Sequence, residues 1–179
     1  FHKLALQTQV CIKDSPINYN HGRVLYTELS DYINRNKLNN INIFETGTAR
    51  GFSSICMSKA LTDQDAKGSI ITVDFLPHNK KIYWNCIGDL KGPQTRSNLL
   101  KDWSKELEKI IFIQGWTNEI IKKIGLERIN FAFLDAHHSK RNVLKEYYFV
   151  SNRQEEGDII IFDDVNPELF PGVYKALSL

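Results

Sequence analysis

Residues 41–55 read INIFETGTARGFSSI, and they give the clearest indication of the architecture. The run from Ile41 to Phe44 is short and apolar, as a buried strand is. Residues 47–51 carry a glycine at each end and predict a turn, after which a helix begins near Ser53. A strand, a glycine turn and a helix in this order are typical of the first unit of a parallel α/β sheet.

Similar units follow along the chain. Further apolar runs predict strands at residues 70–73, 110–113, 131–134 and 159–162. Helical periodicity predicts helices at residues 22–38, 97–109, 118–124 and 140–153. Strands that are continuously apolar and alternate with helices predict a Rossmann-like, doubly wound α/β fold with a mostly parallel sheet.

Each predicted strand ends at a polar residue. These strand-end residues are Glu45, Asp74, Gln114, Asp135 and Asp163. In open α/β sheets, ligands bind outside the carboxyl ends of the strands. Because all of the predicted strands end in this way, we expect a binding site along that edge.

The glycine turn differs from a dinucleotide fingerprint. Gly47 and Gly51 are four residues apart and do not form the GxGxxG pattern that brings backbone amides against a pyrophosphate. A carboxylate at Glu45 would repel a pyrophosphate but attract an ammonium group. Asp74, at the end of the second strand, can accept hydrogen bonds from ribose hydroxyls. The features favour a nucleoside ligand without phosphate, and a purely structural turn is the alternative.

Two segments carry a family resemblance. The stretch IFETGTARGFSSICMSKAL, followed by GSIITVDFLP, resembles the first two motifs of class I S-adenosylmethionine-dependent methyltransferases. It is most similar to the catechol and caffeoyl-CoA O-methyltransferase branch and to the related bacterial sugar and antibiotic O-methyltransferases. The similarity extends from about Arg23 to Val165.

The resemblance implies a set of cofactor-binding residues. Asp74 would bind the ribose of S-adenosylmethionine, and Phe75 or Leu76 would pack on the adenine. The residues implied around the methionine part are Glu45, Gly47, Thr48, Ala49, Gly51 and Ser53, with Asp135 nearby. Those implied around the adenine are Gly115, Trp116, Thr117 and Asn118.

Three acids close the fourth and fifth strands. Asp135, Asp163 and Asp164 would repel one another unless a cation is bound or a proton is shared. Oxygen ligands of this kind suit Mg²⁺, which could also hold an acceptor hydroxyl. Catechol-type enzymes carry an Asp and an Asp-Asn pair here, and in this chain Asp164 replaces the Asn. The alternative is that the paired acids cap the following loop or bind substrate without metal.

The proton acceptor is expected on the loop after Asp135. Catechol-type enzymes have the pattern Asp-x-x-Lys, but the fourth position here is His138, and Lys140 follows two residues later. The segment also resembles the Asp-x-x-His-Ser pattern of other bacterial small-molecule methyltransferases. Because histidine accepts a proton near neutral pH, we predict that Asp135 and His138 are catalytic and that His137 is a polar loop residue.

Composition and charge exclude several classes of protein. The formal net charge is +2, and no basic run alternates with aromatic residues as in nucleic-acid surfaces. The sequence has no apolar stretch long enough to span a membrane. Its three cysteines form neither a CxxC pair nor a zinc pattern, which favours a reducing compartment. We therefore expect a cytoplasmic protein that binds neither nucleic acid nor membrane.

The chain is expected to form one domain over residues 1–179. Residues 22–125 would form the nucleotide-binding half and residues 126–179 the metal and acceptor half. The segment after Asp164 is too short for the C-terminal antiparallel hairpin of this fold, so the hairpin is predicted to be missing. The sheet edge left exposed is compatible with a homodimer.

Two other segments have more specific predictions. The connection over residues 75–97 is either a lid with glycine hinges or an ordinary surface helix with its aromatic residues in the core. Tyr147, Tyr148 and Phe149, on a predicted helix, are assigned to packing.

The predicted activity is metal-assisted methyl transfer from S-adenosylmethionine to a hydroxyl group of a small molecule. Two alternatives remain at this stage. One is a nucleotide-dependent oxidoreductase, against which the missing GxGxxG pattern counts. The other is a module that binds a nucleoside without catalysing a reaction.

Overall fold

A computed structural model describes residues 1–9, 17–38 and 40–178. Five parallel strands form one sheet in the order β3-β2-β1-β4-β5. The strands are β1 (Ile41–Thr46), β2 (Gly68–Asp74), β3 (Ile110–Gln114), β4 (Phe131–Leu134) and β5 (Ile159–Phe162). The predicted α/β class and parallel sheet are confirmed.

Eight α-helices surround the sheet within the described residues. They are α1 (His2–Thr8), α2 (Asn20–Asn36), α3 (Phe52–Asp63), α4 (Arg96–Leu99), α5 (Ser104–Leu107), α6 (Thr117–Ile120), α7 (Lys140–Ser151) and α8 (Pro171–Leu177). Short 3₁₀ helices span Ile87–Lys91 and Lys101–Trp103. None of the described helices has the length and apolar content needed to cross a membrane.

The core lies on both faces of the sheet, as a doubly wound fold requires. One face packs against α2 and α3, through buried residues such as Leu29 and Met57. The other packs against α7, where the rings of Phe44 and Phe149 lie 5.2 Å apart. The strand order changes direction between β1 and β4, and ligands bind at such a switch point in α/β sheets.

Several predicted helices differ from those observed. The single helix expected over residues 97–109 is divided into α4, a 3₁₀ turn and α5. The helix expected at 118–124 is the shorter α6. Of the three aromatic residues assigned to packing, only Phe149 is buried, because consecutive helical residues point about 100° apart. Tyr148 is 55% exposed and Tyr147 37% exposed.

The connection over residues 75–97 is packed rather than open. Ile82 and Gln94 form an isolated antiparallel bridge, and the Trp84 indole donates to the Gln94 carbonyl oxygen at 2.7 Å. Trp84 and Cys86 are buried against Leu99. Of the two sequence interpretations, this supports the one with aromatic residues in the core for Trp84, although Tyr83 is 68% exposed.

The cysteines that the structure describes are buried and form no disulfide. Burial raises the pKa of the Cys56 thiol to about 12, so the thiol is protonated at neutral pH. Cys86 is also buried. Cys11 lies outside the described residues.

Candidate cofactor and acceptor site

The glycine turn after β1 is in direct contact with the loop after β4. Gly47 has φ +87°, a conformation that side chains with a Cβ rarely adopt. A Cβ atom at this position would lie 2.2 Å from the carbonyl oxygen of Asp135. Both the conformation and the space therefore require glycine, and the two loops meet without an intervening side chain.

The turn continues into the start of α3. Gly51 precedes the helix with φ +87°, and its amide donates to the Thr48 carbonyl oxygen at 2.7 Å. Ala49, between them, also has a positive φ of 44°. A turn of this shape holds backbone groups at the helix N-terminus, where they can face a polar ligand.

Glu45 lies beneath the turn. It is fully buried and accepts hydrogen bonds from the hydroxyls of Ser53 and Ser54 at the start of α3. Burial raises the pKa of Glu45, and the serine hydrogen bonds oppose this shift. Glu45 lines neither of the two cavities beside the turn, which are described below. Its predicted contact with an ammonium group therefore stays a prediction.

Asp74 is held at the end of β2 by backbone amides. Its carboxylate accepts hydrogen bonds from the amide of Ala49 and, at 2.7 Å, from that of Leu76. The side chain is 7% exposed at the edge of a cavity. Each carboxylate oxygen has a second lone pair. Asp74 therefore lies where it could accept hydrogen bonds from a ligand, as predicted for a ribose.

A cavity of about 250 Å³ lies beside Asp74. The rings of Phe75 and Trp116 stack at its mouth, with centroids 5.2 Å apart. His137 lies parallel to Trp116 at 6.2 Å. The lining contains Asp74, predicted to bind the ribose, and most of the residues predicted around the adenine, namely Phe75, Leu76, Gly115, Trp116 and Thr117. Asn118 instead bonds to Asn142 at 3.0 Å and is absent from this lining.

Arg96 supports this part of the site and was missed in the sequence. Its side chain is 2% exposed, and its guanidinium donates to the Ala49 carbonyl oxygen at 2.9 Å. It also lies 4.0 Å from the Asp74 carboxylate and over the rings of Trp84 and Phe112. Desolvation lowers the pKa of Arg96, and Asp74 opposes the shift. No sequence signal separates this arginine from the others.

A second, larger cavity of about 710 Å³ lies on the other side of the turn. Its lining includes His21, Arg50, Ser53, Asp163 and Asp164. Gly47, Ala49 and Asp135 line both cavities. The contact between the two loops therefore forms part of the wall of each cavity.

The predicted acidic cluster is rearranged in the structure. Ligand atoms of Asp135, His138 and Asp164 all lie within 4.8 Å of one another, and the His138 Nε2 is 3.0 Å from the Asp164 carboxylate. Asp164 has a positive φ of 54°, a strained conformation that often occurs at functional sites. A Cβ at Gly172 would lie 2.1 Å from the His138 carbonyl oxygen, so α8 packs closely beneath this loop.

Asp163 points to a different partner. Its carboxylate lies 3.5 Å from the Nδ1 atom of His21, at the start of α2. Burial lowers the pKa of His21, and the nearby acids Asp163 and Asp164 oppose the shift. Of the three predicted metal ligands, the structure thus brings Asp135 and Asp164 together and adds His138. His21 was not found from the sequence because its nearest acid comes from the far end of the chain.

His137 and Lys140, the other two residues considered after Asp135, lie outside this cluster. His137 lies beside Trp116, on the side of the smaller cavity, where burial lowers its pKa. Lys140 is the first residue of α7 and is exposed.

The comparisons with known proteins identify the family and the fold. A family model described as a methyltransferase domain matches residues 44–165. The chain therefore belongs to this methyltransferase family and is a class I enzyme that uses S-adenosylmethionine. This assignment excludes the oxidoreductase alternative. No curated protein sequence matches the chain closely enough to count as a relative.

Solved structures support the fold. The match to cofactor-bound Rv0187 from MTB covers 99% of this chain and 74% of the Rv0187 chain, with a TM-score of 0.68 and 14% identity. The match to the O-methyltransferase NovP covers 99% of this chain and 78% of the NovP chain, with a TM-score of 0.69 and 14% identity. The match to the calicheamicin methyltransferase CalS11 covers 98% of this chain and 80% of the CalS11 chain, with a TM-score of 0.64 and 15% identity.

We predict that Asp74→Ala weakens binding of S-adenosylhomocysteine, the demethylated cofactor. The loss should be roughly 1.5–3 kcal/mol, the scale of hydrogen bonds to a charged group. Titration calorimetry measures this affinity, and Asp31→Ala, on the exposed side of α2, is the matched control. An unchanged affinity in folded Asp74→Ala protein would exclude the ribose assignment.

Proposed function

We propose that the protein transfers a methyl group from S-adenosylmethionine to a hydroxyl of a small molecule. The observation that carries this proposal is that Gly47, Ala49 and Asp135 line both cavities. The smaller cavity, beside Asp74, would hold the nucleoside part of the cofactor. The larger one, beside Asp164, would hold the acceptor and bring its hydroxyl to the junction.

The structural neighbours support oxygen as the accepting atom. NovP is an O-methyltransferase, and an apo form of CalS11 is described as a TDP-rhamnose 3'-O-methyltransferase. The residues at the junction fit the same chemistry, because a hydroxyl must lose its proton as it is methylated. Asp164 lines the larger cavity and pairs with the imidazole of His138, a group that can accept such a proton.

We assign the proton acceptor to His138. Its Nε2 can donate a hydrogen bond to Asp164, which leaves Nδ1 as the nitrogen that accepts a proton. Asp164 would hold the ring in this tautomer and stabilise the imidazolium that forms. Asp135, next to the glycine turn, would orient the acceptor hydroxyl. S-adenosylmethionine, when bound, supplies the methyl group and leaves as its neutral thioether product.

The same residues fit a divalent cation. Asp135 and Asp164 offer carboxylate oxygens, and the cluster is compact enough to surround one ion. Mg²⁺ is the cation that the carboxylates favour, whereas His138 as a third ligand would favour a transition metal. A bound cation would lower the pKa of the acceptor hydroxyl. Asp163 would contribute less, because its carboxylate lies against His21.

Direct assays test the proposed function. Calorimetry with S-adenosylhomocysteine and with NAD tests the cofactor, and turnover on a panel of hydroxylated molecules tests the reaction. Binding of S-adenosylhomocysteine without turnover on any hydroxyl acceptor would contradict O-methyl transfer. The cytoplasmic location and the homodimer stay predictions from the sequence.

We predict that exhaustive chelation lowers turnover and that Mg²⁺ or Mn²⁺ restores it. Asp164→Asn should strongly reduce the ability of the metal to restore turnover, because it removes a charged ligand from the cluster. Asp163→Asn is the matched control and should retain metal-dependent turnover, since its carboxylate faces His21. Turnover is measured against metal concentration, and full activity after chelation would exclude the cation.

We predict that His138→Ala reduces turnover by about 10²- to 10⁴-fold, the range that general base catalysis contributes. Lys140→Ala should leave turnover unchanged, because Lys140 is exposed at the start of α7. The pH–rate profiles of both variants and the wild type provide the measurement. Loss of turnover in Lys140→Ala, with an unchanged profile in His138→Ala, would transfer the role to the lysine.

A further inference from the structure

Glu146 is a buried acid that the proposed reaction does not use. It lies on α7 and is 1% exposed. One carboxyl oxygen accepts a hydrogen bond from the Thr46 hydroxyl at 2.7 Å. The other oxygen, Oε1, is buried without a partner among the described residues. A buried polar atom of this kind costs free energy unless something else binds it.

Glu146 lines a small cavity beneath the acceptor side of the site. Its volume is about 10 Å³, near the lower limit for one water molecule. Apolar walls come from Leu134, Val143, Phe162 and Val173, and the polar lining residues are Asp135, His137, His138 and Asp163. A buried water needs two to four polar partners, and this cavity is lined by polar residues in addition to Glu146.

The cavity lies under the contact between the two functional loops. Thr46, which bonds to Glu146 through its hydroxyl, accepts a hydrogen bond from the Asp135 amide through its carbonyl oxygen, at 3.0 Å. The next residue, Gly47, touches the Asp135 carbonyl group. Glu146 is thus joined to the β1 end directly and to the loop after β4 through the cavity.

Burial raises the pKa of Glu146 to about 7, and the hydrogen bond from Thr46 opposes the shift. In its protonated form the carboxyl group can donate one hydrogen bond and accept others. Glutamine has a similar shape and can also donate and accept hydrogen bonds, without a charge. Leucine has a similar size but neither capacity.

We propose that Glu146 is a positioning residue that binds one buried water molecule, and that this water fixes the loop of Asp135 and His138 for methyl transfer. The water would bridge Glu146 Oε1 and polar groups of the loop. The positioning role of Glu146 in catalysis rests on the proposed function. The buried water site does not depend on it.

A high-resolution crystal structure with S-adenosylhomocysteine tests the water site. We expect one ordered water within hydrogen-bonding distance of Glu146 Oε1 in the wild type, and its absence in Glu146→Leu. An empty cavity, or a direct side-chain partner for Oε1, would overturn the proposal. This readout does not depend on turnover, so it remains decisive if no methyl acceptor is found and the proposed function fails.

Kinetics test the positioning role. Glu146→Leu should lower kcat by about 10- to 100-fold, the effect of small misplacements of catalytic groups, while affinity for S-adenosylhomocysteine stays near the wild-type value. Glu146→Gln should restore most of kcat, and Tyr148→Leu, exposed on the same helix, is the control. An unchanged kcat in Glu146→Leu, or an equal loss in Glu146→Gln, would overturn the role.

Thr46→Val provides a second variant if Glu146→Leu does not fold. It removes the hydroxyl that holds the Glu146 carboxyl group but preserves the shape of the side chain. We expect a smaller fall in kcat than in Glu146→Leu and unchanged affinity for S-adenosylhomocysteine. A wild-type kcat in Thr46→Val, together with an empty cavity in the crystal structure, would overturn the proposal.

Discussion

The contact between the Gly47 backbone and the Asp135 carbonyl group is the constraint on which the site depends. It joins the end of β1 to the end of β4, at the point where the strand order changes direction. The β1 side carries the glycine turn, and the β4 side carries the loop of Asp135 and His138. Gly47 and Asp135 line both cavities, so this contact lies at the boundary between them.

Buried polar groups hold both sides of that contact in place. Glu45 anchors the start of α3 through two serines, and Arg96 links the glycine turn to the end of β2. Desolvation opposes the charge on both residues, as the directions of their pKa shifts indicate. Such groups are costly to bury unless they are well bonded, so we interpret them as positioning the backbone rather than as adding stability.

The strands and their polar ends could be predicted from the sequence because both signals are local. An apolar run predicts a buried strand, and parallel strands place their carboxyl ends at one edge. Asp74, Asp135 and Asp163 were identified as strand-end residues in this way. The broken helix between residues 97 and 109 could not be predicted, because its pattern fits one continuous helix and tertiary packing divides it.

The partners of buried ionisable residues could not be predicted either. Arg96, His21 and Glu146 acquire their roles from residues distant in the chain. Asp163 and Asp164 have different histidine partners, and Asp164 has a positive φ that no sequence pattern indicates. Sequence reasoning thus located the edge that carries the site but not the buried layer beneath it.

The most direct measurement of the central claim compares Gly47→Ala with Gly92→Ala. Both glycines have φ +87°, so alanine strains the backbone similarly at each, but no atom lies within 4 Å of a Cβ at Gly92. Calorimetry with S-adenosylhomocysteine should show an affinity loss of about tenfold or more, equal to about 1.4 kcal/mol, in Gly47→Ala alone. Equal affinities in the two folded variants would contradict the account.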